Sequence, residues 1–248
     1  MSERPKLIIV ETGVANLASV RALAGRLGLE PEVSADPEVV ARAPIVILPG
    51  VGAFGPAMEK LANAGLDRAM RARVGAGLPT AGICLGMQLF FEESEESESV
   101  PGLGILKGKV TRLAGRLPLP QLGWNRIEPE ASARLLEPGW VYFANSYGVD
   151  AVNFRAPDGS AAADAADVTD TAGVPGLSNL ASTRPGGAQF STASASTIYG
   201  APFISAIEGW RDGKPNLLLC QFHPELSGPF GTALFARWLE LNRLRSLQ

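Results

Sequence analysis

The chain has 248 residues, 46% hydrophobic and 19% charged, with a formal net charge of -3. That length buries a sizeable core without disulfide staples, and the balance excludes a disordered chain. No block of Lys and Arg offers a phosphate-tracking surface, so nucleic-acid binding is not expected.

Lys6 to Val10 is β-branched and aliphatic and predicts a first strand. Its apolar run is too short for a signal-peptide core or a membrane span, so a cytoplasmic protein without membrane association is expected. Asn16 is placed to cap a helix that buries Leu17, Val20, Leu23 and Leu27, with Gly28 ending it. A strand at Glu32 to Ser34, a helix at Glu38 to Arg42 and an apolar strand at Ile45 to Leu48 follow. Helices are expected over Ala57 to Asn63 and Leu66 to Val74, a strand over Pro79 to Ile83, and a helix from Leu85 to Phe91. The middle of the chain reads as strands: Leu103 to Leu113, Trp124 to Ile127 and Trp140 to Tyr147. Phe203 to Ile207 and Leu217 to Phe222 are two more, before a final helix with a stripe of Leu234, Phe235, Trp238 and Leu241.

Strands alternating with helices imply βαβ units. The expected fold is α/β: a mostly parallel open sheet flanked by helices, with added antiparallel strands. One domain over 1–248 is expected, interrupted at about 153–197 by a segment rich in Ala, Ser, Thr, Gly and Asp. That segment reads as a surface insertion, loosely packed; a lid over the site is the other reading.

Gly82-Ile83-Cys84-Leu85-Gly86 has the form G-x-C-x-G between a buried strand and a helix. This is the cysteine version of a nucleophile elbow: a sharp turn lifts the side chain above the sheet, and flanking glycines give clearance. A helix starting at Leu85 would aim its positive end at the sulfur, and the Leu85 N–H could donate to an oxyanion. A buried structural cysteine is the other reading of Cys84, and it is the preferred one for Cys220, set among Leu217, Leu218 and Leu219.

The chain has 2 cysteines and 1 histidine. A zinc site is not expected, nor any other metal or cofactor. His223 follows an apolar strand in Gln221-Phe222-His223-Pro224-Glu225, where open sheets put their sites. Alone it could be a surface or capping histidine. Beside a cysteine elbow it reads as the base, with Glu225 orienting its ring. Ile47 to Gly55 is a strand opening into a glycine-rich loop. It lacks the P-loop ending, so backbone N–H groups of Gly50, Val51 and Gly52 facing the elbow are the better reading.

Pro49-Gly50-Val51-Gly52-Ala53-Phe54-Gly55, Gly82 to Gln88, and Gln221 to Glu225 together resemble the class I (triad) glutamine amidotransferases. The first of these, with Pro120-Gln121-Leu122-Gly123-Trp124-Asn125 and Ser146-Tyr147, is similar to the branch of glutaminase subunits of imidazole glycerol phosphate synthases. The resemblance runs from about residue 6 to 150 and from about 198 to the end. It implies a flavodoxin-like sheet and a thioester mechanism, with Cys84 as nucleophile and His223 as its base. Gln88, Ser146 and Tyr147 would hold glutamine. Asn16, Leu122 and Trp124 would dock a (β/α)8 cyclase that receives the ammonia for histidine biosynthesis; an ordinary core aromatic is the other reading of Trp124.

The family usually has Asp-Tyr where this chain has Glu11-Thr12, His where it has Asn145, and Lys where it has Leu226. These departures bear on the interface and its signalling, not on the triad. Other functions left open are a class I glutaminase of another pathway, a stand-alone cysteine hydrolase of this fold, and an inactive binding subunit. Trimming the 153–197 segment to a short loop is expected to leave thermal stability and glutamate release nearly unchanged. A large loss of either in the trimmed chain would show that it packs on the core or covers the site.

Overall fold

The computed structural model describes residues 6–12, 17–151 and 190–244. In chain order the elements are β1 (Lys6–Val10), α1 (Leu17–Arg26), β2 (Glu30–Ser34), α2 (Pro37–Arg42), β3 (Ile45–Leu48), α3 (Phe54–Asn63), α4 (Leu66–Gly75), β4 (Thr80–Ile83), and α5 (Leu85–Gln88). Then follow β5 (Glu93–Ser94), β6 (Lys109–Arg112), β7 (Gln121–Pro129), β8 (Gly139–Asn145), β9 (Tyr147–Asp150), β10 (Phe190–Tyr199), β11 (Ala201–Arg211), β12 (Lys214–Cys220) and α6 (Gly228–Leu241). The strands form one sheet in the order β2-β1-β3-β4-β12-β11-β10-β7-β8, with β9, β6 and β5 branching from β11. The first five strands run parallel. From β12 onward the main path continues antiparallel.

Apart from the edge strand β2, the parallel strands are buried on both faces because helices cover both. Ile8, Val10, Val46, Leu48, Leu217 and Leu219 pack on one side with residues of α2, α3 and α4. Leu7, Ile9, Ile45, Ile47, Leu218 and Cys220 pack on the other with residues of α1 and α6. Asp36 caps α2 by accepting from the Glu38 N–H at 2.8 Å. Arg73 is fully buried beneath α2. Its guanidinium donates to the carbonyls of Val40, Ala43 and Pro79 and to Thr80 Oγ1, tying both helices to the start of β4. Burial pulls its pKa down to about 9.

Four expectations need correction. Of the strand expected over Leu103 to Leu113, only Lys109–Arg112 is strand. The insertion expected at 153–197 ends earlier: residues 190–197 belong to β10, which pairs with β11 and β7. Its remainder, 153–189, lies outside the described residues, so a trim of this segment must stop before Phe190. The helix expected over Leu85 to Phe91 stops at Gln88, because the carbonyls of Leu89, Phe90 and Phe91 accept from the N–H groups of Leu103, Gly104, Ile105 and Leu106 instead. In α6, Leu234, Phe235 and Trp238 are buried as expected but Leu241 is 45% exposed. Asn242 turns inward in its place and donates to the carbonyls of Pro215 and Trp238.

A carboxylate anchors the antiparallel part. Glu208 of β11 is fully buried. Its oxygens accept from the N–H groups of Arg134, Leu135 and Leu136 at 2.7, 2.8 and 2.7 Å, and from Trp210 Nε1 at 2.8 Å. Four donors spread its charge, and Arg134 stacks 3.9 Å above the Trp210 ring. Glu208→Gln replaces one acceptor by an NH2 group facing other donors. It is expected to lower stability by about 2–4 kcal/mol in denaturant unfolding, with backbone amide exchange at 134–136 accelerated first.

Candidate active site

The parallel order sets β4 between β3 and β12, so three chain segments leave the carboxyl edge of the sheet side by side. They are residues 49–52 after β3, Cys84 after β4, and residues 221–223 after β12. Such an edge is where open α/β sheets bind ligands.

Cys84 sits at φ 53, ψ -113. A side chain in that region costs on the order of 1–3 kcal/mol of backbone strain, which the surroundings must impose. Here the Cys84 N–H donates to the Cys220 carbonyl at 2.7 Å. Gly86 passes so close to β3 that a Cβ on it would lie 1.9 Å from the Leu48 carbonyl oxygen, and one on Gly50 would lie 2.7 Å from the Gly86 nitrogen. The glycine-rich loop after β3 is therefore pressed onto the elbow. Leu85 opens α5, so its N–H has no intrahelical partner. At 4 residues, α5 has too few aligned peptides for the dipole effect expected from the sequence.

Charge at the site comes from the neighbouring side chains. His223 Nδ1 lies 2.8 Å from Glu225 Oε1, and both residues are buried. The His223 N–H donates to the Tyr142 carbonyl at 2.8 Å, and its carbonyl accepts from Ser227 Oγ at 2.6 Å. These bonds fix the turn that carries the ring. Burial alone would lower the His223 pKa, but hydrogen bonds to Cys84 and Glu225 and the charges of both push it up to about 10. Glu225 Oε2 has no hydrogen-bond partner among the described residues.

A cavity of about 220 Å³ opens over the sulfur. Val51, Gly52, Cys84, Leu85, Gln88, Ser146 and Tyr147, all expected from the sequence, line it. A second cavity of about 230 Å³, lined by Thr12, Ala53 and Lys60 among others, shares Val51 and Gly52 with the first. Gly52 stands at φ +99, and a Cβ on it would meet nothing within 4 Å. Gln88 is less available than expected: its Nε2 donates to the Tyr147 carbonyl at 2.9 Å and to Gln221 Oε1 at 3.0 Å. Only its oxygen remains for a ligand.

Several lining or contacting residues carry no role in the sequence reading: Pro120, Ala144 and Asn145 line the cavity, with the Ala144 carbonyl 3.9 Å from Cys84 Sγ, and Glu96 and Gln221 join them. Glu96 lines the cavity, and its Oε2 accepts from the Phe54 N–H at 2.7 Å. It lies in an acidic run, residues 92–98, that reads as solvated surface. Gln221 was visible in its motif without a role; its Nε2 lies 3.7 Å from Cys84 Sγ. Leu122 and Trp124 lie away from the cavity, 66% and 54% exposed on the outer face of β7, so Trp124 is not a core aromatic. It packs edge-on against Tyr142 of β8. Asn16 lies outside the described residues. Among the described residues no cluster of His, Cys, Asp and Glu could hold a metal ion, and no helix is long and apolar enough to cross a membrane.

The family model described as glutamine amidotransferase class-I matches residues 11–165. Over 237 residues the chain is 40% identical to the imidazole glycerol phosphate synthase subunit HisH of Symbiobacterium thermophilum, covering 94% of this chain and 92% of that protein. The subunit of the same name from Escherichia coli is 35% identical, covering 95% and 99%. A crystal structure of a glutamine amidotransferase superposes with a TM-score of 0.61 at 20% identity, covering 95% of this chain and 98% of that one. At that identity the superposition speaks for the fold alone.

Because the chain has 1 histidine, its titration can be followed without assignment. The ring resonance should move with a midpoint near 10 rather than near 6.5. A raised folded-state pKa stabilises the fold fully below the unfolded value of about 6.5, and that contribution fades as pH rises through about 10. Cys84→Ala removes one of the groups that raise it and should bring the midpoint down, as read by proton NMR. An unchanged midpoint would show that the ring does not sense the sulfur.

Proposed function

The chain belongs to the class I glutamine amidotransferases, and from that membership we propose that it is the glutaminase subunit of an imidazole glycerol phosphate synthase. Cys84 is the nucleophile, His223 its base and Glu225 the group that orients the ring. The observation carrying this assignment is the strained Cys84 at the floor of the cavity, beside the chain's one histidine with Glu225 2.8 Å behind it.

The geometry supports a thioester mechanism. Glu225 accepts from Nδ1, which leaves Nε2 for the sulfur. The sulfur attacks the side-chain amide carbon of glutamine. Charge then develops on the amide oxygen, and the Leu85 N–H with an N–H of the 50–52 loop stabilises it. The His223 imidazolium gives its proton to the leaving ammonia, and the ring then activates water to hydrolyse the glutamyl thioester. Glutamate leaves and Cys84 is regenerated. A cavity of about 220 Å³ is below the range of roughly 300–1,000 Å³ typical of larger ligands, and suits one amino acid. Gln88 Oε1, Ser146, Tyr147 and Glu96 are the polar groups that read it, with the Glu96 carboxylate suited to an ammonium.

The ammonia goes to a (β/α)8 cyclase subunit in histidine biosynthesis. The names of the most similar relatives support this partner. So does the outer face of the β7–β8 hairpin, where Leu122, Trp124 and Trp140 are exposed together. Asn16 is proposed as a further docking residue, and the two subunits would form a heterodimer. One domain spans the chain. Free Cys84 and Cys220 suit a reducing cytoplasm.

Activity is proposed to wait for the loaded partner. Val51 and Gly52 line both cavities and Gly52 has open space around it, so a peptide plane there has room to turn, exchanging a carbonyl for an N–H beside the oxyanion. One such donor is worth on the order of 10²–10³ in rate. The departures at Asn145 and Leu226 leave the triad side chains unchanged, although the Leu226 N–H donates to the His223 carbonyl at 3.1 Å. Asn145 Nδ2 donates to the Tyr147 carbonyl at 3.0 Å, and Leu226 is 39% exposed.

Cys84→Ala should reduce glutamate release from glutamine to background while Cys220→Ala retains it; activity surviving in Cys84→Ala would sink the nucleophile assignment. Steady-state glutamate release should also rise by about two orders of magnitude when cyclase with its nucleotide ligand is added. Equal rates for the chain alone, with cyclase, and with liganded cyclase would point to a stand-alone hydrolase.

A further inference from the structure

Gln221 is fully buried, and the reaction as described gives it no part. The direction of the hydrogen bonds around it is nevertheless determined. The Tyr147 carbonyl can only accept, so the group it meets at 2.9 Å must be the NH2 of Gln88. That fixes the Gln88 amide. The second N–H of the same NH2 then donates to Gln221 at 3.0 Å, so the Gln221 atom there must be its oxygen. The Gln221 amide is fixed in turn, and its own NH2 is left facing Cys84 Sγ at 3.7 Å. The backbone is held as well, since the Gln221 N–H donates to the Ser205 carbonyl at 2.9 Å.

We propose that Gln221 is a positioning residue for the nucleophile: its amide, polarised by the chain Tyr147–Gln88–Gln221, donates a hydrogen bond to the Cys84 sulfur and holds it as the attacking anion. His223 and Gln221 thus approach the sulfur as two separate donors, one mobile in its proton and one not. His223 gives its proton away to the leaving ammonia. Gln221 keeps both of its own, so the sulfur remains hydrogen-bonded when the thioester breaks and the anion returns. The same chain starts at Tyr147, which lines the glutamine cavity, so the loop that meets substrate is joined to the atom that attacks it.

The inference rests on Cys84 as nucleophile, and the test separates the two. Two near-isosteric variants, Gln221→Met and Gln221→Glu, are compared with the parent in the cyclase complex. The readouts are kcat and KM for glutamate release, and the rate at which iodoacetamide alkylates Cys84 at neutral pH, mapped by mass spectrometry. Iodoacetamide needs no glutamine site, so its rate reports on the sulfur alone. Gln221→Met removes the donor. A hydrogen bond to a charged group accounts for roughly ten- to hundredfold, so kcat and the alkylation rate should both fall by about that factor with KM little changed. Gln221→Glu keeps an acceptor for Gln88 but sets a carboxylate against the sulfur, and should be at least as impaired as Gln221→Met. Were Gln221 only an anchor for Gln88, Gln221→Glu would restore activity. Parental alkylation by Gln221→Met, or recovery of kcat by Gln221→Glu, overturns the proposal, and either variant suffices if the other does not fold. A parent that releases no glutamate, with or without liganded cyclase, would overturn the glutaminase assignment instead.

Discussion

Everything at this site follows from a crowding constraint around one strained residue. Cys84 can occupy its left-handed conformation only because the chain beyond it is bare of side chains where β3 presses in. The Leu48 carbonyl leaves no space for a Cβ at position 86, and the elbow nitrogen bonds to the Cys220 carbonyl on the opposite strand. Cys84 is thus clamped between the strand that carries the glycine-rich loop and the strand that leads to His223. Relaxing the backbone at Cys84 would displace both neighbours. Strain of this kind persists because the central sheet over-determines it.

Within that frame, the electrostatics differ from a helix-dipole design. The single turn of α5 adds little field. Buried Glu225, with one oxygen on the ring and the other without a partner among the described residues, does more. It favours a charged His223. Gln221 adds a donor without adding charge. The site therefore depends on a triangle of mutually stabilising groups, each of limited use without the others.

Much of this was legible in the sequence where the signal was local. Ile45–Leu48 and Leu217 to Cys220 read as buried strands because every residue is large and apolar, and the elbow read as an elbow because its glycines are spaced around one cysteine. The signal failed where distant contacts decide. Leu89, Phe90 and Phe91 look helical, but their carbonyls are taken by a loop more than ten residues on. In β10 the alternation is present as Ala193, Ala195 and Thr197, buried between β11 and β7. Residues so small resemble low-complexity loop. Glu96 could not be singled out from its acidic neighbours, because only α3, 42 residues away in the chain, defines what its carboxylate does.

The sheet order also shapes how the enzyme is made. Its central position, between β4 and β11, belongs to β12, among the last strands to be synthesised. Until Lys214–Cys220 has emerged and inserted there, the elbow lacks the carbonyl that holds it, and the chain's one histidine does not yet exist. Contacts of such long range form late in folding. A chain that stops before Lys214 accordingly carries Cys84 without the strand that holds its backbone and without His223.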